Sequence, residues 1–193
     1  MDDASALVAR ARAGDRGAFT EIFRRHRADV ARLVHRMMGR QPELVEDLVQ
    51  EVFLQVHRSL GEFRGDAKFS TWLHRVTVNV VLMARRAAGS RPQLTDELPE
   101  GAPSTSPLPD EDAARLRRMR AFQRCVDALA EKKRTVFVLH DLEGMTSAEI
   151  SEIVGAPALT VRTRLFYARQ ELAAAMKLEP SLAGLGAVTK ERP

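Results

Sequence analysis

The sequence contains very little cysteine and few aromatic residues. Its 193 residues include one cysteine, Cys125, and one tryptophan, and aromatic side chains make up 5% of the chain. A single cysteine can form neither an internal disulfide nor a cysteine-based zinc cluster, so a disulfide scaffold and a zinc finger are both excluded. We therefore interpret Cys125 as a small core or surface residue.

Long apolar runs are also absent. No stretch approaches the roughly 20 apolar residues that cross a bilayer, and the first residues, Met1, Asp2 and Asp3, are acidic where a signal peptide is basic. We predict a cytoplasmic protein with no membrane insertion. Eleven Gly and nine Pro are too few for a fibrous chain, and 45% hydrophobic residues are enough to build a buried core.

Motifs of catalysis and metal binding are missing as well. The sequence has no Gly-rich phosphate loop, no zinc-protease histidine pair and no nucleophile elbow. Its five histidines are scattered without the spacing of metal ligands, and one turn of an amphipathic helix often carries two acids such as Asp47 and Glu51. We predict no enzyme activity, no cofactor and no metal site. The sequence offers binding surfaces instead.

Apolar residues recur every three or four positions, which predicts an all-α protein. Before residue 90 they form three amphipathic stripes, enough for a small helical bundle. We interpret Phe69 and Trp72 as core residues, although a ring near Arg64, Lys68 and Arg75 could also stack on an unpaired base. The stripes consist of Phe19, Ile22, Phe23, Val30, Leu33, Val34 and Met37; of Leu44, Val45, Leu48, Val49, Val52, Phe53, Val56 and Leu60; and of Phe69, Trp72, Leu73, Val76, Val80 and Met83.

An acidic, proline-rich segment follows the first block of helices. Residues 91–112 carry one basic residue, Arg91, against six carboxylates, whereas the segments on either side are basic. Five prolines in this stretch argue against a helix or a central strand, so we predict a flexible linker over residues 91–114. Its acidic residues are Asp96, Glu97, Glu100, Asp110, Glu111 and Asp112.

The second block has the pattern of a helix-turn-helix. We predict a helix over 128–142, a short helix that begins at Thr146, a turn at Gly155, and a final helix over 160–177. Thr146 and Glu149 have the spacing of a capping box. A final helix with exposed Arg and Thr near its start is typical of DNA-binding helices, but any helical hairpin shares the spacing. The predicted domains are 5–90 and 115–177, followed by a mobile tail over 178–193.

Two long runs of residues resemble a known family. Asp47 to Leu54, Phe63 to Leu73 and Arg75 to Asn79 resemble region two of bacterial extracytoplasmic-function (ECF) sigma factors of the sigma-70 family. Glu143 to Ile150, Thr160 to Leu165, and Ala168 with Arg169 are similar to region four of the same family, in the expected order.

This resemblance implies a dissociable initiation subunit of bacterial RNA polymerase. The region-two helix would dock on core RNA polymerase, since an acidic and amide face beside apolar residues suits a basic amphipathic partner. The residues of this docking face are Asp47, Gln50, Glu51 and Leu54. The resemblance also implies a regulatory partner protein, an anti-sigma factor.

The resemblance further implies two contacts with promoter DNA. Region two would hold the melted minus-ten element, with basic residues on the phosphates and Asn79 on a flipped base; these residues are Arg64, Lys68, Arg75, Asn79, Arg85 and Arg86. Region four would read the minus-thirty-five element through Thr160, Arg162, Thr163, Arg164, Phe166 and Tyr167. The chain departs from the family pattern at Leu159, where Gly is common, and at Tyr167, where a basic residue is common.

Two other interpretations of the residues stay open at this point. A free-standing helix-turn-helix regulator would bind duplex DNA by itself. A purely helical protein-interaction module would carry the same basic residues as a solvated surface.

Overall fold

The computed structural model describes residues 3–39, 41–89 and 110–182, and every regular element in these ranges is helical. None of the helices in these ranges is long and apolar enough to cross a membrane. The predicted all-α class with two helical domains is confirmed. The helices are α1 (Asp3–Arg12), α2 (Arg16–Met38), α3 (Val45–Ser59), α4 (Phe69–Gly89), α5 (Asp110–Asp127), α6 (Glu131–Phe137), α7 (Ser147–Val154) and α8 (Ala158–Leu178).

Helices α1 to α4 form the first domain, and their starts follow from local sequence. Asp15 caps α2 by accepting a hydrogen bond from the Ala18 amide at 3.0 Å, and Arg10 of α1 pairs with the same carboxylate at 2.6 Å. Most residues of the predicted stripes are buried on the facing sides of α2, α3 and α4. The fully buried centre includes Leu33, Val34, Val52, Val56 and Val81.

Helix α4 is covered on more than one side. It contacts α2 and α3 of its own domain and α7 of the second domain. For this reason Val78 and Val81 are buried together with the predicted Leu73, Val76 and Val80, and the apolar surface of α4 is wider than one stripe. The stripe prediction is wrong at Met83, which is 66% exposed.

Helices α5 to α8 form the second domain. The capping box at the start of α7 is present as predicted: the Thr146 amide donates to the Glu149 carboxylate at 2.9 Å, and the Glu149 amide donates back to the Thr146 hydroxyl at 3.3 Å. Gly155 ends α7 in the left-handed conformation, with φ of 63°. Cys125 is buried in α5, and this burial raises the pKa of its thiol, so the interpretation as a core residue is confirmed.

Three predicted boundaries differ from the structure. Helix α5 begins at Asp110, inside the predicted linker, because Asp110, Glu111 and Asp112 stand in its first turn, where carboxylates stabilise the helix dipole. The predicted helix over 128–142 begins only at Glu131, after a break, and ends in a π-helical turn, Val138–Leu142. Helix α8 begins at Ala158, two residues before the predicted start.

The ends of the predicted linker and tail are likewise ordered into the second domain. Leu182 follows α8 and is 3% exposed, because its 3-10 turn packs against α5. Arg124 of α5 pairs with Glu179 at 2.9 Å beside it. Residues 91–109 of the linker and 183–193 of the tail lie outside the described residues.

A nearly buried carboxylate joins the two domains. Glu143 precedes α7, and its side chain is only 5% exposed. It accepts a hydrogen bond from Arg36 of α2 at 2.7 Å and lies 3.4 Å from Arg32 of the same helix. Arg36 also donates to the Leu142 carbonyl. These contacts hold the start of the helix-turn-helix against the first domain.

We expect Glu143→Gln to lower the free energy of unfolding by about 1–2 kcal/mol, because it leaves two guanidinium groups facing an uncharged amide, while partial exposure of both arginines limits the loss. Asp29→Asn is the matched control, since Asp29 pairs with the same Arg32 at 2.8 Å but is 50% exposed. Its expected cost is below about 0.5 kcal/mol. Urea unfolding followed by circular dichroism measures both, and equal losses would contradict a special role for Glu143.

Candidate nucleic-acid interface

The predicted docking residues form one exposed face on α3. Val49, Val52, Phe53 and Val56 are buried on the opposite side of the helix and fix its rotation. Asp47, Gln50, Glu51 and Leu54 therefore point to solvent, and Leu54 is 50% exposed. Glu51 lies 3.8 Å from Arg58, two turns further along. The face combines carboxylates, an amide and an apolar side chain, as a basic amphipathic partner requires.

A groove between α3 and α4 brings the docking face next to predicted minus-ten residues. This open groove, of about 670 Å³, is lined by Glu51 on α3 and by Arg75, Asn79 and Met83 on α4. Arg75 and Asn79 are both exposed. Asn79 therefore lines the groove together with a cation, Arg75, and an apolar side chain, Met83.

A smaller pocket lies where the preceding loop enters α4. The loop residues from Glu62 to Ala67, together with Thr71, Trp72 and Arg75, enclose about 220 Å³. Gly65 has φ of 83°, a conformation that favours glycine, and it turns the chain toward α4. Arg64 and Lys68 are exposed on this loop. The lining combines the cations of Arg64 and Arg75 with an apolar wall and with the carboxylates of Glu62 and Asp66.

The aromatic residues behind this pocket belong to the core. Phe63, Phe69 and Trp72 pack against one another, with ring centroids 5.4–5.6 Å apart. Trp72 is 8% exposed, too little for a base to stack on its face. The core interpretation of Trp72 is confirmed, and the stacking alternative is not supported.

The remaining predicted minus-ten residues lie apart from the pocket. Arg85, near the end of α4, is partly buried and donates a hydrogen bond to the Met37 carbonyl at the end of α2. Carbonyl groups at the C-terminal end of a helix lack intrahelical partners and favour a basic side chain such as Arg85. Arg86, the next residue in the chain, is exposed. The structure therefore places Arg64 and Arg75 around the small pocket and Arg75 and Asn79 along the groove, whereas Arg85 contacts its own domain.

The second domain contributes an acidic side chain to the small pocket. Glu152 of α7 lines the same space as Arg75. Nearby, hydrogen bonds from Thr146 lower the pKa of Glu149, and the charges of Lys68 and His74 lower it further. Carboxylates of the helix-turn-helix thus face cations of the first domain. No local sequence signal identifies Glu152 as a pocket residue, because the contact depends on how the domains pack.

Helix α8 presents a well-defined outer face. Val161, Leu165, Ala168 and Leu172 are buried against the rest of the domain. The predicted residues Arg162, Thr163, Phe166 and Tyr167 are exposed on the opposite side, whereas Thr160 and Arg164 are only partly exposed. The Thr163 hydroxyl donates to the Leu159 carbonyl at 3.0 Å, so its donor is already in use. Gln170 extends the same exposed face, which makes it an additional candidate contact.

The charge of α8 suits a polyanion. Between Ala158 and Gln170 the helix carries Arg162, Arg164 and Arg169 and no acidic residue. Arg169 pairs with Asp141 at 2.6 Å, and this pairing lowers the pKa of the carboxyl and fixes α8 to the preceding turn. Within the described ranges, no three His, Cys, Asp or Glu side chains are grouped as metal ligands would be.

Comparison with known proteins gives the same division of the chain. Residues 22–91 match the family described as Sigma-70 region 2, and residues 119–172 match Sigma-70, region 4. The ECF RNA polymerase sigma-E factor of Haemophilus influenzae is 34% identical over 173 residues, which cover 86% of this chain and 90% of that protein. The ECF RNA polymerase sigma factor SigM of Mycobacterium tuberculosis is 35% identical over 176 residues, which cover 89% and 83%.

Solved structures are similar over nearly the whole chain. CnrH, determined in complex with the cytosolic domain of CnrY, has a TM-score of 0.69 and 26% identity, and the match covers 92% of this chain and 99% of CnrH. The sigma factor RpoE of Bartonella quintana, determined with the anti-sigma factor NepR, has a TM-score of 0.63 at 18% identity and supports the fold alone. Because both regions and full-length relatives match in the same order, the chain belongs to the ECF group of sigma-70 family RNA polymerase sigma factors.

Proposed function

We propose that this sigma factor works through three surfaces: the α3 face binds core RNA polymerase, the α3–α4 groove with the adjoining pocket captures the melted minus-ten element, and the outer face of α8 reads the minus-thirty-five duplex. It acts by binding and not by catalysis. The observation that carries the proposal is the groove in which Glu51, Arg75 and Asn79 meet. A polymerase-docking face and a base-capturing amide in one cleft suit a protein that opens DNA on the polymerase.

The alternative, a free-standing helix-turn-helix regulator, needs only α8. This alternative assigns no function to the exposed acidic face of α3 or to the pocket lined by Arg64 and Arg75. Membership of the sigma factor family also does not favour it. Binding of the purified protein to core polymerase and to duplex DNA, measured separately, distinguishes the two functions.

In the proposed minus-ten contact, Arg64, Lys68 and Arg75 hold phosphates, and Asn79 pairs with the edge of an unstacked base. An amide can donate and accept at once, as a base edge requires. We propose Arg86 as a further phosphate contact. Arg85 can join only if its bond to the Met37 carbonyl opens, so its role as a phosphate contact stays a prediction.

We also propose an anti-sigma factor as a regulatory partner. CnrH and the Bartonella quintana RpoE were each solved with a bound protein, the cytosolic domain of CnrY and the anti-sigma factor NepR. In this chain Leu54 and Met83 are 50% and 66% exposed, which leaves apolar surface on α3 and α4 for such a partner.

We expect Asp47→Lys to weaken binding to core polymerase at least about tenfold, because it places a cation against a basic partner surface. Glu46→Lys is the matched control: it has the same charge change one residue away, on the side where Glu46 pairs with Arg27 of α2 at 2.6 Å. Calorimetry with core polymerase measures both affinities. Normal binding by Asp47→Lys, or equal loss in the control, would contradict the docking face.

We expect Asn79→Ala to impair open-complex formation on a duplex promoter, since the variant loses the contact that repays unstacking of a base. A template mismatched across the bubble should restore much of the activity, because the unstacking cost of a few kcal/mol is already met. Run-off transcription measures activity on both templates, and permanganate footprinting measures opening of the duplex template. An equal defect on both would exclude base capture by Asn79.

We expect Arg162→Ala to reduce transcription from a minus-thirty-five-dependent promoter about 10- to 100-fold, the range for loss of a bidentate contact to guanine. Arg164→Ala should have a smaller effect, because Arg164 is only partly exposed whereas Arg162 is exposed. Reconstituted transcription measures both. A larger loss from Arg164→Ala would show that α8 meets DNA through another face.

A further inference from the structure

Leu159 is an exposed apolar side chain with no role in the contacts described so far. It is the second residue of α8 and is 72% exposed. The buried stripe of α8 fixes the rotation of the helix, so Leu159 stands on the same outer face as Thr163 and Phe166, one and two turns further along. A leucine at this exposure adds nothing to the core and leaves apolar surface in water.

The chemistry of leucine limits what it could recognise on DNA. It cannot form a hydrogen bond with a base edge or a phosphate. The major-groove edges of the four base pairs present one apolar group, the methyl group of thymine, which aliphatic side chains contact. The residues at the start of a recognition helix are the ones that reach base edges. Leu159 has both the position and the chemistry for such a contact.

Charge favours DNA over a protein as the occupant of this face. From Ala158 to Gln170 the helix carries three arginines and no carboxylate. Arg162, one turn after Leu159, is exposed and available to a phosphate or a guanine. An apolar side chain one turn from an exposed arginine matches a thymine methyl group beside a phosphate backbone.

We propose that Leu159 is a specificity-determining residue that contacts a thymine methyl group in the duplex bound by α8; the inference rests on the proposed minus-thirty-five function. Leu159 and Arg162 are three positions apart, which corresponds to about 4.5 Å along the helix. Base pairs are stacked about 3.4 Å apart. The thymine therefore lies within about two base pairs of the base that Arg162 contacts.

The experiment uses the full-length protein bound to bacterial core RNA polymerase. Promoters are first selected by this holoenzyme from a pool randomised across the minus-thirty-five region. Each thymine of the selected element is then replaced by deoxyuridine, which lacks only the methyl group. We expect one replacement to lower transcription by the wild type about fourfold, the factor for one buried methyl-sized group.

Leu159→Ala should lower transcription from the thymine promoter by a similar factor and should be insensitive to the deoxyuridine replacement. Leu159→Met should keep the sensitivity. Leu178→Ala is the matched control, because Leu178 is 85% exposed at the far end of the same helix. It should leave the thymine preference unchanged.

The outcomes separate failure of this inference from failure of the proposed function. If the holoenzyme selects a minus-thirty-five element but Leu159→Ala responds to deoxyuridine as the wild type does, Leu159 does not contact thymine, although α8 still reads the duplex. The same holds if Leu159→Ala weakens only assembly with core polymerase, which would make the residue a protein contact. If no element is selected at all, the proposed role of α8 fails.

Discussion

Burial of α4 from two domains is the constraint on which the arrangement of the binding surfaces depends. Its side chains pack against α2 and α3 on one side and against α7 on the other. Arg75 and Asn79 stand on the part of the helix that neither domain covers. The same helix therefore supports the core, holds the helix-turn-helix in place, and exposes the proposed base-capturing groove.

The packing of α7 also places carboxylates of the second domain beside cations of the first domain. Glu152 lines the pocket that contains Arg75, and Glu149 lies close enough to Lys68 for their charges to interact. Nucleic-acid phosphates entering this pocket would meet carboxylates of the second domain as well as cations of the first. The cations proposed to hold phosphates are therefore ones that α7 already faces in this structure.

Local patterns in the sequence predicted much of the fold and the outer face of α8. Thr146 and Glu149 identify the start of α7 because a capping box involves only neighbouring residues, and Val161, Leu165, Ala168 and Leu172 identify the buried side of α8 by their period alone. Helix α5 was not among the helices predicted, because the prolines before Asp110 obscured its favourable acidic first turn.

The contacts and exposure of long side chains in the folded protein could not be predicted from local patterns in the same way. Arg85 has the sequence context of a phosphate contact, but in the fold it meets the Met37 carbonyl of another helix. Met83 continues an apolar stripe and is nevertheless exposed, because it lines the open groove between α3 and α4. Such outcomes depend on tertiary packing, which no short window of sequence contains.

The contact between Glu143 and Arg36 has a consequence for how the two domains can diverge. The residues lie 107 positions apart, and neither belongs to a surface proposed for DNA or polymerase. Loss of Glu143 leaves two partly exposed guanidinium groups without their counter-charge, and loss of Arg36 leaves the nearly buried carboxylate with Arg32 alone, at 3.4 Å. Exchange of Glu143 and Arg36 for an apolar pair can restore stability. Among related proteins that keep this packing, substitutions at the two positions should therefore occur together. The two promoter-binding regions would then evolve together at residues 36 and 143, although neither residue belongs to a proposed DNA-binding surface.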